Sequence, residues 1–138
     1  IWADGSTYDV SGSYRAAGGA GGSIFIDCRE FGGTAAGAVM RAHGGHGAKG
    51  NTGTYQSGAG GGGRVTVWLG MTDADRARVR AGDLSRVTVT NRSEDYAGTI
   101  SVTNGLGYRN PPDARAAAEG TVRVIEARPA NGLMIQIL

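Results

Sequence analysis

The residues able to do chemistry in this chain are few and scattered: His43 and His46 either side of Gly44-Gly45, a lone Cys28, and carboxylates at Asp27, Asp73, Asp75 and Asp83. A protein zinc site takes at least three protein ligands. No third ligand stands at motif spacing from the two histidines, so both read as turn histidines, and neither a metal nor a cofactor is expected. The Gly-Gly-x-Gly-x-Asp calcium repeat is absent. Gly58-Ala59-Gly60-Gly61-Gly62-Gly63-Arg64 lacks the Lys-Ser/Thr ending of a phosphate loop and runs into a strand where a phosphate cradle would open a helix. There is no Gly-x-Ser-x-Gly elbow. Cys28, in phase with Ile24 and Ile26, reads as a small apolar residue rather than a nucleophile. Glycoside cleavage needs a pair of carboxyl groups, but Asp27 aligns with Trp68 and Ile125 in the two similar strand-like runs. No catalytic residue is therefore assigned. Trp68, Phe25 and Tyr55 are the candidate contacts for a glycan or a protein partner, set against the plainer expectation that the aromatics pack.

The elements that would carry these residues come from two short patterns recurring in alternation. One begins at glycine and alternates strictly: Gly22-Ser23-Ile24-Phe25-Ile26-Asp27-Cys28, Gly63-Arg64-Val65-Thr66-Val67-Trp68-Leu69 and Gly120-Thr121-Val122-Arg123-Val124-Ile125. Side chains along a strand alternate with period two, so Ile24, Val65 and Val122 share one face with Ile26, Val67 and Val124. The other pattern runs Gly37 to Gly44 and Gly98 to Gly105, with Ile1 to Gly5 as a shortened copy. There Val39 aligns with Ile100, and Arg41 then takes the place of Val102. Either Met40 and Ala42 are the buried pair in that copy, or Arg41 lies at an edge.

Spacing between repeats lengthens across residues 71–93, which hold the one expected helix. Thr72 would cap it, Asp73 and Asp75 lie in its first turn, Arg76, Arg78 and Arg80 follow, and Gly82 stops it. Ala74, Ala77 and Val79 would dock it on the strands. Arg86 to Thr90 reads as a further strand, and Leu133 to Leu138 as another.

Glycine fills 17 positions between 18 and 63. Fixing that many carries a penalty on the order of ten kcal/mol relative to alanine, so close backbone approach or tight corners with positive φ must offset it. The segments Gly18 to Ile26, Gly37 to Gly47 and Gly60 to Val67 resemble the glycine-rich β-solenoid repeats of large bacterial surface and secreted proteins. The resemblance implies an extracellular or cell-surface structural element, such as a stalk, adhesin segment or filament subunit. It carries over no functional residue.

The fold expected is all-β, a right-handed parallel β-helix-like solenoid with glycine-rich corners and one short helical insertion, a single domain over 1–138 or a fragment of a longer one. The expected function is structural, with no catalysis. The alternative is a carbohydrate-binding or carbohydrate-cleaving module on the same scaffold. Partners would be neighbouring rungs of the same parent chain or identical subunits, with surface glycans as the second class. A net charge of +2 without a dense basic tract argues against nucleic acid, and no apolar run approaches the ~20 residues of a membrane span.

Overall fold

A computed structural model of the chain describes residues 1–7, 16–35, 37–48, 57–93, 95–107 and 117–128. The three strictly alternating runs form β1 (Ser23–Cys28), β3 (Arg64–Leu69) and β6 (Thr121–Ala127), side by side and parallel. Their register pairs Ile24 with Val65 and Val65 with Val122, so the apolar phase matches from strand to strand. The other pattern gives two shorter strands, β2 (Val39–Arg41) and β5 (Thr99–Ser101), also parallel, with Trp2 bridging to Arg41 on the far side of β2. Between the two sheets lies the main core of Ile24, Met40, Ala42, Val65, Val67 and Val124.

β2 and β5 pair one residue away from the alignment that the glycines suggest. Met40 lies opposite Ile100 and Val39 opposite Thr99. Met40 and Ala42 are thereby buried, and Arg41 faces outward. A one-residue shift exchanges the two faces of a strand; burying two apolar side chains in place of an arginine decides between them.

The solenoid expectation is overturned. A solenoid coils one repeated unit so that its strands are all parallel and its glycines turn corners. Here β4 (Val87–Thr90) joins β6 antiparallel, Val87 opposite Ala127, and makes a mixed sheet of order β1-β3-β6-β4. The glycine stretches are not corners either. Among the described residues only Gly33, Gly70 and Gly82 have positive φ, and none of these lies in the runs 18–22, 44–47 or 58–63.

Those runs instead continue the strands as extended rods, at a place where the two layers meet backbone to backbone. The Gly22 and Gly19 amides donate to the carbonyls of Ala3 and Ser6, at 2.6 and 2.9 Å. Gly45 and Ala48 donate to Gly19 and Ala16 at 2.8 and 2.9 Å, and Gly63 and Gly60 donate to Ala42 and Gly45 at 2.8 and 3.0 Å. Bonds within a layer take the same step, from Gly18 to Gly58 at 3.0 Å and from Gly21 to Gly61 at 2.9 Å. The step of three residues is the period of a polyproline II-type helix, which bonds nothing internally and so leaves its amides for neighbours on several sides. Sheets separated by side chains stand about 10 Å apart. The wedge from Ile24 and Met40, through Ala42, to bare glycine closes that gap.

The insertion forms α1 (Asp73–Arg80), entered through a capping box between Thr72 and Asp75 and left through Gly82 at φ 83°. Ala74 and Ala77 are exposed, and the docking residue is Val79, set against a second core of Trp68, Met71, Val87 and Ile125 on the outer face of the mixed sheet. No helix among the described residues is long and apolar enough to cross a membrane. Leu133 to Leu138 lie outside the described residues.

Candidate binding face

Of the three aromatic residues singled out by sequence, Trp68 serves as the seat of α1. It is 8% exposed, with the Arg80 guanidinium 5.5 Å from its ring and Phe25 edge-on at 5.1 Å. Phe25, on the edge strand β1, is 58% exposed and carries the open aromatic surface of that face. Tyr55 lies outside the described residues.

Asp27 receives two bonds from Arg76, at 2.7 and 2.8 Å, and Arg76 also reaches Asp73 at 2.9 Å. The arginine holds the Asp27 carboxyl below its usual value, and the carboxylates raise that of Arg76. The arrangement straps helix to sheet and leaves Asp27 no proton to exchange near neutrality. Cys28 packs against the main core, and partial burial followed by the Asp27 charge pushes its thiol up, away from nucleophilic character. An open cleft of about 620 Å³ lies here, lined by Asp27, Cys28, Met71, Thr72, Asp73 and Arg76. A second, of about 610 Å³, is lined by Arg29, Glu30, Phe31, Leu69, Asp95 and Glu126.

His43 and His46 are placed apart in function. The His46 Nδ1 accepts the Leu106 amide at 2.8 Å, clipping the rod that follows β5. His43 is half-buried, with Nε2 2.7 Å from the Ser101 hydroxyl. No group of three residues able to hold a metal occurs among the described residues.

The most developed polar arrangement is one that the sequence did not single out, on the outer face of the small sheet. Trp2 is 69% exposed and lies against Arg41, whose guanidinium carbon is 4.0 Å from its ring centre. Asp4 accepts the His43 amide through Oδ1 at 3.0 Å and meets Arg41 Nε through Oδ2 at 2.6 Å. The second contact is an ion pair out of line with the N–H, which has no aligned acceptor. Ser101 stands directly across from Arg41. Ser101 and His43 have the spacing of a nucleophile and its base. Both Asp4 oxygens, however, are committed to Arg41 and to backbone, not to the His43 ring that a triad carboxylate would orient. The row is suited to holding a ligand through an aromatic surface and neutral or compensated polar groups. His43 was visible in the sequence, but its grouping with Asp4, Arg41 and Ser101 was not, because it comes from the pairing of residues 1–5 and β5 with β2.

A scan of family models, a search of curated proteins and a search of solved structures each returned no match. The likeness to glycine-rich surface repeats accordingly rests on the sequence alone.

Proposed function

We propose that this chain is a structural module of an extracellular or cell-surface assembly, a stiff segment with no catalytic role that joins to further units of its own kind. The observation that carries this reading is the three-residue ladder of backbone bonds linking both layers. It involves six stretches of chain, at 3–6, 16–22, 42–48, 58–63, 102–106 and 118–120. Many backbone bonds between stretches distant in sequence must break together when the ends are pulled, which is the response asked of a load-bearing element.

Single-molecule pulling between Ile1 and Arg128 tests this. The expected trace shows one cooperative rupture at high force, abolished by Gly60→Ala. Gradual extension at low force in the parent protein would refute a mechanical role. For the location, protease shaving of intact source cells is expected to release peptides from this chain, and recovery only from lysed cells would refute a surface position.

A further inference from the structure

We infer that the outward face formed by residues 1–5, β2 and β5 binds a neutral saccharide, with Trp2 as the stacking surface and Asp4, Arg41, His43 and Ser101 as the hydroxyl-binding row. This site is separate from Trp68 and Phe25, which lie on the outer face of the other sheet, and it stands whether or not the chain bears load.

Three observations select this occupant. The first is the indole, 69% exposed although it already has a guanidinium at 4.0 Å on its ring. A large aromatic held open on a sheet face offers a π face to C–H groups while its neighbours offer hydrogen bonds, the combination that sugar rings present in reverse. The second is charge. Arg41 and Asp4 are paired at 2.6 Å, and the other polar neighbours in the row, His43 and Ser101, are bonded to each other at 2.7 Å. With its one cation compensated, the row gives an anionic polymer no advantage over a neutral one.

The third is the pattern of donors and acceptors. Arg41 supplies donors only, Asp4 acceptors only, and the His43–Ser101 pair either, depending on the imidazole tautomer. Lateral spacing is fixed by the strands, about 4.8 Å from one to the next. A hydroxyl can both donate and accept, so a polyol can use every member of the row. A peptide strand that docks through its backbone does so along a sheet edge and not on the side chains of a sheet face. Affinity is set by few contacts and falls in the millimolar to high-micromolar range.

The two tryptophans make the test direct, since Trp68 is buried and Trp2 is open. Acrylamide quenching of the intact chain would be followed while cellohexaose, maltohexaose or hexagalacturonate is added. The expected result is saturable protection of the open indole by a neutral hexasaccharide. Trp2→Ala should abolish it, and Ser101→Ala or Arg41→Gln should weaken it about tenfold, with melting temperatures near the parent's. Calorimetry reads the Trp2→Ala variant, and Trp2→Phe should restore part of the binding, which keeps the test open if the alanine variant folds poorly. Absence of saturation with both neutral sugars, equal binding by Trp2→Ala, or preference for hexagalacturonate would each overturn the assignment. So would protection that grows with protein concentration alone, which would show a second copy covering the face.

Discussion

Gly60 donates its amide to the Gly45 carbonyl at 3.0 Å across the two layers, and neither residue has room for a side chain. A Cβ on Gly45 would fall on the Ser6 carbonyl, and one on Gly60 on the Gly19 carbonyl. Both obstacles are backbone, so neither can swing aside. Gly60→Ala is expected to destabilise the protein by about 3 kcal/mol or more, or to prevent folding. Gly37 has nothing within 4 Å of its added methyl, so Gly37→Ala should be neutral or stabilising by about 0.5 kcal/mol. Urea denaturation of the pair reads the contrast. Similar losses in both would mean that glycine matters for flexibility rather than for close approach.

Trp68 and Phe25 touch, yet only one is expected to hold the fold. Trp68, buried with Met71, Val87 and Ile125, should cost about 3–5 kcal/mol on truncation to alanine. Phe25, more than half exposed, should cost roughly 1 kcal/mol. Thermal melts of both variants check this, and a Trp68→Ala protein as stable as the parent would remove the helix seat from the account.

The acid limb of the stability curve should be set by carboxylates tied to partners. Arg76 lowers Asp27, Thr72 lowers Asp75 and Ser85 lowers Asp83, in each case through hydrogen bonds to the charged form. A depressed folded value stabilises fully above the unfolded value of about 3.9 and is lost as pH falls through the folded one. Melting temperature is therefore expected to hold from pH 7 down to about 5 and to drop below about 4. Asp27→Asn should lower stability at neutral pH and flatten the drop. A variant with the parent's full acid slope would show that the Arg76 strap contributes nothing.

The ends of α1 offer a local check. Thr72 accepts the Asp75 amide at 3.2 Å while Asp75 accepts the Thr72 amide at 3.1 Å. Thr72→Ala should cost about 1 kcal/mol. Gly82 sits at φ 83°, where Gly82→Ala should cost about 1–2 kcal/mol. Hydrogen exchange of the Arg76 to Arg80 amides should speed up in both variants, with the main core unchanged.

How much of this was legible beforehand follows the range of each interaction. The in-phase Ile and Val positions of β1, β3 and β6 and the Thr72 cap of α1 are local patterns, so both could be read in the chain. The β2–β5 register could not, because Gly37 and Gly98 invited an alignment that burial of Met40 overruled. Neither could the Asp4–Arg41–His43–Ser101 row, assembled from three distant segments by pairing on both sides of β2.

The sequence by itself determined the runs that become β1 to β6, which residues share a face within each run, and that so much glycine demanded close neighbours. Only the tertiary structure decided who those neighbours are, that β4 turns antiparallel to β6, and that Trp68 lies under a helix while Trp2 stays open. The reason is that side-chain periodicity orients a residue within its own strand. A backbone amide free to bond on several sides is satisfied only by whichever distant carbonyl the packed core brings within 3 Å of it.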